Sequence, residues 1–143
     1  MRSVLSVDPG GTNGYALFVA KDNKSFHLEV SGQASDPMVF LDEWGTRQPK
    51  YVVAEKYFVK FKHQSVYTAE IIGMCKYCAR KWGAQFVIQE PAIKAFVNNA
   101  ILKKRKLWNT GEHERDAIRH GLYFIKVALC CSVIELTKEL TSE

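Results

Sequence analysis

Asp8, Glu55, His113 and Asp116 are the side chains of this sequence whose types and settings suit chemistry. Asp8 ends an apolar run, Val4-Leu5-Ser6-Val7, and Glu55 ends another, Tyr51-Val52-Val53-Ala54, so each acid stands at the carboxyl end of an expected strand. His113 and Asp116 lie three residues apart at the start of a long apolar-striped segment, a spacing that puts both on one face of a helix. Three carboxylates and an imidazole suit a divalent cation, because hard ions such as Mg²⁺ take oxygen ligands and a phosphate completes their shell. The chemistry expected is metal-dependent phosphodiester cleavage, the work of a nuclease.

Other elements must bring these groups together. Residues 2–8 read as a strand, and Asp8-Pro9-Gly10-Gly11-Thr12-Asn13-Gly14 as the turn that closes it. Apolar runs at Tyr15–Ala20 and Ser25–Ser31, joined by Lys21-Asp22-Asn23-Lys24, extend this to a three-stranded antiparallel meander. Asp36-Pro37 opens a short helix to about Trp44, and Tyr51–Glu55 is a fourth strand. Val66, Ala69, Ile72, Cys75 and Ala79 recur at helical spacing from His63 to about Trp82, with Gly83 placed to stop the helix. Ala84–Glu90 is a fifth strand, residues 92–99 a short helix, and Ile101–Gly111 a loop or frayed helix rich in positive charge. The last helix is expected from Glu112 to about Glu139, with Ile118, Leu122, Ile125, Leu129, Val133 and Leu136 as its apolar stripe.

These elements predict an α/β fold with a five-stranded mixed sheet, three antiparallel strands then two parallel ones, flanked by helices. Asp8 and Glu55 meet if the first and fourth strands are neighbours. The chain's 143 residues fit one domain, 1–143. No apolar run reaches the roughly 18 residues of a membrane span, and no signal-peptide pattern opens the chain, so a cytoplasmic protein is expected. The net charge of +5 suits a polyanionic partner. Cys75-x-x-Cys78 and the adjacent pair Cys130-Cys131 lack a zinc-knuckle pattern and lie in segments that read as helix, so reduced, structural thiols are expected.

Val7-Asp8-Pro9-Gly10 with Gly14, Glu55 with Phe58, and His113-x-x-Asp116-Ala117 opening the final helix together resemble the RuvC-type Holliday-junction resolvases of the RNase H-like superfamily. The resemblance covers almost the whole chain in order and strand context, and is nearest to the compact phage-encoded members, which would place the protein in a host cytoplasm. It implies a crossover junction endodeoxyribonuclease in which Asp8, Glu55, His113 and Asp116 hold two Mg²⁺ ions, with Mn²⁺ a possible substitute. Water would be the nucleophile and a 5′-phosphate nick the product. Phe58 matches an aromatic that stacks on bases at the opened crossover, a contact that contributes roughly 1 to 3 kcal/mol. Lys56, Lys60 and Lys62 beside it would hold phosphates. Lys94 matches a basic residue near the scissile phosphate, although it stands one residue closer to the preceding proline than in the family. Lys103, Lys104, Arg105 and Lys106 lead into the metal-binding helix and would contact the backbone of branched DNA in a salt-sensitive way. The family acts as two-fold dimers, since paired nicks need two related sites; the helix from His63 to Trp82 is the interface expected here.

Blander roles exist for each residue. Asp8 could cap its turn, Glu55 could be solvated, and His113 and Glu112 could be ordinary first-turn residues. His120, four residues beyond Asp116, either reaches the site or packs beneath it. Among rival functions, a less selective flap or fork debranching nuclease shares every residue above. Asp8-Pro-Gly-Gly-Thr-Asn-Gly also resembles the phosphate loop of the sugar kinase and actin superfamily, but that fold closes two domains around ATP.

Overall fold

The computed structural model describes residues 2–45, 47–57, 66–108 and 111–134. It opens with β1 (Ser3–Asp8), β2 (Asn13–Ala20) and β3 (Ser25–Ala34), paired antiparallel as their short turns require. The helix α1 (Met38–Gly45) follows, with Asp36 Oδ1 accepting the Met38 amide at 2.9 Å. Next come β4 (Tyr51–Glu55), α2 (Tyr67–Lys81) and β5 (Gln85–Gln89), with β4 parallel to both β1 and β5. Gly83, at φ +71°, ends α2: its amide donates to Arg80 O at 3.2 Å and the Ala84 amide to Ala79 O at 2.8 Å. A residue in the left-handed region makes that pairing possible, and glycine adopts it without strain.

The second half departs from expectation in two places, the end of the final helix and the number of strands. Ahead of them a 3-10 helix (Pro91–Phe96) is followed by α3 (Asn99–Lys104), where a loop or frayed helix rich in positive charge was expected. Asn98 explains it, since its Oδ1 caps α3 by accepting the Ile101 amide at 3.0 Å. The final helix, α4, covers only Glu112–Tyr123; a π-helical turn at Phe124–Ala128 widens the backbone, and Cys130 at φ +53° turns the chain. The chain then forms β6 (Ser132–Ile134), parallel to β3, so the sheet has six strands in the order β5-β4-β1-β2-β3-β6 rather than five. Ile118, Leu122 and Ile125 are buried as expected of the stripe, Val133 lies in a strand, and Leu136 lies outside the described residues. A single apolar residue every four positions fits a helix or a strand end alike, which is why periodicity misplaced this boundary. Cys130 is therefore exposed outside a helix, while Cys75 and Cys131 are buried; all four cysteines are free.

Side-chain alternation divides the core in two. Val4, Ala16, Phe18 and Val53 pack towards α4, while Leu5, Leu17 and Val52 pack towards α1 and α2. The sheet thus carries helices on both faces. Ser6 Oγ donates to Ala117 O at 2.7 Å and ties the middle of α4 to β1. Gly121 lets the helix approach Phe18, for a Cβ there would lie 2.2 Å from the ring. Among the described residues no helix is long and apolar enough to cross a membrane.

Candidate active site

The alternation that turns Val4 and Ser6 towards α4 turns Asp8 the same way, and Val53 implies the same for Glu55. Because β1 and β4 are parallel, with Val7 opposite Ala54, the two acids emerge side by side at the carboxyl edge of the sheet. One strand further out, Gln89 pairs with Glu55 in register and faces the same helix.

The amino end of α4 supplies the other side. Its cap position is Gly111, which has no side chain to offer, and the cap comes instead from β3: Gln33 Oε1 accepts the His113 amide at 3.0 Å and the Glu114 amide at 3.1 Å. Gly14 on β2 lets the helix end approach, since a Cβ there would meet His113 O at 1.8 Å. The turn between β1 and β2 is fixed by Asn13, whose Oδ1 accepts the Gly10 amide at 3.0 Å and whose Nδ2 donates to Ala34 O at 3.0 Å.

The expected quartet converges there. His113 Nδ1 is 3.0 Å from Asp8 Oδ2, and Asp8 is hydrogen-bonded to Glu55. Lys94 bridges the remaining acids, its Nζ 2.8 Å from Glu55 Oε1 and 3.3 Å from Asp116 Oδ2. Arg119 donates from Nη1 to Asp116 Oδ1 at 2.6 Å, from Nε to Val97 O at 2.9 Å, and from Nη2 to Asn99. His120 is fully buried beneath Glu55, with Nε2 3.5 Å from its Oε1.

Crowding sets the electrostatics. Burial, then the hydrogen bond and charge of Glu55 and the charge of Asp116, push the Asp8 carboxyl up to about 9, against the pull of Lys94. At Glu55 burial also favours the neutral form, but the facing His120 ring, Asp8 and Lys94 outweigh it and hold the carboxyl down at about 2. Lys94 is pushed up, since its carboxylate partners outweigh its own burial. Among the described residues, no three side chains of metal-ligand type already surround one point. Lys94 stands in for the cation: its ammonium occupies the contact between Glu55 and Asp116, and a proton on Asp8 relieves the rest. A donor set of three carboxylates and an imidazole, crowded until it recruits a lysine and a proton, fits Mg²⁺ or Mn²⁺ once Lys94 withdraws.

Of the remaining expected DNA contacts, Phe58, Lys60 and Lys62 lie outside the described residues. Lys56 reaches Glu90 Oε1 at 3.2 Å beyond the end of β4. Lys103 and Arg115 cover the Trp108 ring, at 4.7 and 4.3 Å from its centroid. Lys104 and Lys106 are exposed, whereas Arg105 donates to Val133 O at 2.8 Å and fastens α3 to β6. Sequence reasoning missed Gln33, Gln89 and Arg119. Gln89 alone carried a signal: it follows Val87 by two positions at a strand end, the same pattern that marked Asp8 and Glu55.

No family model matches the sequence, and no curated protein matches it. Solved structures do match in fold. Thermus thermophilus RuvC in complex with a Holliday junction substrate superposes with a TM-score of 0.71 at 14% identity, over 90% of this chain and 95% of that one. Thermus thermophilus RuvC in a second structure gives 0.59 at 15% identity, over 89% and 97%. Fowlpox virus resolvase in complex with Holliday junction DNA gives 0.50 at 15% identity, over 99% and 84%. The chain thus has the fold of RuvC, as the sequence motifs led one to expect.

Proposed function

We propose that this chain, built on the fold of RuvC, is a divalent-metal-dependent endonuclease that nicks four-way DNA junctions and leaves 5′-phosphate ends. The observation that carries this reading is the convergence of Asp8, Glu55, His113 and Asp116 from β1, β4 and α4 onto one edge of the sheet. Two structures of the same fold are complexes with Holliday junction DNA.

Asp8, Glu55, Asp116 and His113 would hold the ions, two per site. When bound, Mg²⁺ or Mn²⁺ would supply a water of lowered pKa and charge stabilisation at the departing oxygen. The protein's own part is positional. Asp8 sits between Glu55 and His113 and would hold metal together with them, while Arg119 keeps Asp116 turned to the site. Lys94, on releasing Glu55 and Asp116, keeps its charge beside them and would take up the scissile phosphate. Lys56, Phe58, Lys60 and Lys62, with Lys103, Lys104, Arg105 and Lys106, would carry the arms of the junction.

Two nicks on strands of like polarity need two sites, so a homodimer is proposed, joined through α2, where Val66 and Tyr77 are 63% and 68% exposed. The test is nicking of a synthetic four-way junction with Mg²⁺ or Mn²⁺, beside flap, fork and plain duplex substrates, with Asp8→Asn as control. Symmetric metal-dependent nicks in the junction that vanish in Asp8→Asn support the reading. Equal cutting of flaps and forks would replace it with a general debranching nuclease, and an uncut junction would remove it.

A further inference from the structure

We propose that Gln89 and His120 form a buried relay that holds Glu55 for metal binding, with Gln89 deciding which ring nitrogen of His120 carries the proton. The role rests on the nuclease reading above, and its geometry stands apart from it.

His120 has no exposed surface, and Gln89 is 9% exposed. Gln89 Nε2 lies 3.0 Å from the backbone oxygen of His120 and 3.0 Å from its Nδ1. A backbone carbonyl only accepts, so the Gln89 atom facing it is the amide nitrogen and not the amide oxygen. That nitrogen carries two hydrogens. With one on the carbonyl, the other points at Nδ1, which must offer a lone pair. A neutral imidazole with a bare Nδ1 has its proton on Nε2. Nε2 faces Glu55 Oε1 at 3.5 Å and has no other hydrogen-bond partner among the described residues.

The chain of atoms therefore ends in a donor aimed at a carboxylate oxygen. At 3.5 Å the contact is longer than a formed N–H···O bond of roughly 2.7–3.2 Å, and a small rotation of Glu55 closes it. Lys94 contacts the same Oε1 at 2.8 Å. When Lys94 leaves for a metal to enter, His120 keeps that oxygen anchored. A histidine that only filled the core would not need Gln89 to direct both amide hydrogens at it. Outer partners of this kind orient carboxylate ligands and typically matter tenfold or more for metal affinity.

The test uses the whole protein without DNA and two readouts, the ¹⁵N resonances of the His120 ring and Mn²⁺ affinity by calorimetry. In the wild type the ring should show a protonated Nε2 and a bare Nδ1. His120→Leu should weaken Mn²⁺ binding about tenfold or more, while His120→Gln, which puts an amide hydrogen near the place of Nε2–H, should recover it to within about threefold. Gln89→Leu leaves His120 in place, and should give mixed tautomers and weaker Mn²⁺ binding, which keeps the test alive if the His120 variants do not fold. A proton on Nδ1 in the wild type overturns the relay whatever the activity. So does equal loss in His120→Gln and His120→Leu when both are folded. Wild-type protein that binds no Mn²⁺ and leaves the junction uncut overturns the nuclease reading and the metal role of Glu55 with it, even with the Nε2 proton in place.

Discussion

His113 Nδ1 lies 3.0 Å from Asp8 Oδ2 across 105 residues of sequence, and two residues that touch neither side chain's chemistry make the contact possible. Gly14 leaves room for the helix end and Gln33 caps it. The site is therefore as dependent on β2 and β3 as on the strands that carry its acids.

Gly14→Ala should separate the quartet. A Cβ 1.8 Å from His113 O forces α4 off β2, a shift that costs about 1–3 kcal/mol or more. Thermal unfolding and Mn²⁺ calorimetry should both show the loss. Gly11→Ala, where a Cβ meets nothing within 4 Å, is the matched control and should stay close to wild type in both.

Gln33→Leu strips the acceptor from two amides at the start of α4. A loss of about 1–2 kcal/mol in urea unfolding is expected. Gln33→Glu keeps an acceptor and adds negative charge at a helix amino end, so it should recover most of that stability. Equal losses in the two variants would rule out the cap.

Metal-free stability should fall as pH rises. A carboxyl whose folded value is raised from 3.8 to about 9 contributes in full below 3.8 and loses that contribution as pH climbs towards 9. Glu55 works the other way but only in acid: lowered from 4.5 to about 2, it contributes above 4.5 and loses that as pH falls towards 2. Above 4.5 Asp8 governs. Asp8→Asn should accordingly gain on the wild type as pH rises from about 5 to about 8.5, by more than ~5 °C in Tm without metal. Adding Mg²⁺ should raise the wild-type Tm more at the higher pH, and should do little for Asp8→Asn. A gap that does not change with pH would contradict the raised Asp8 carboxyl.

Arg119 joins Val97 O, Asn99 and Asp116 through three separate nitrogens. Lysine has the charge but not the fork, so Arg119→Lys should still destabilise the protein, by about 2–3 kcal/mol in denaturant unfolding. Arg119→Ala should cost about 3–5 kcal/mol, because Asp116 is left partly buried and without its nearest cation. A lysine variant as stable as wild type would mean that charge alone suffices.

The thiols should react in an order set by burial. Cys130 is exposed and should be alkylated first in the native protein. Cys75 is buried, and its thiol is pushed up to about 12, so it should resist until global unfolding exposes it. Mass spectrometry of timed labelling separates the two.

Local chemistry along the chain determined a good deal. The acids at the ends of β1 and β4, the spacing of His113 and Asp116, the meander, the Asp36 cap and the Gly83 stop are decided within a few residues, by side-chain alternation, helical period and turn conformation, and all could be read in order. Tertiary structure alone decided where α4 stops and how its amino end is held. The π turn and β6 exist because the chain can add a strand beside β3, and no local pattern carries that choice. Gln33 and Arg119 look like ordinary polar residues in the sequence, and Gln89 shows only the strand-end pattern it shares with the acids. Their roles arise only once packing places each against a group 80, 31 or 22 residues away, since a hydrogen bond depends on distance in space and leaves no period in the chain.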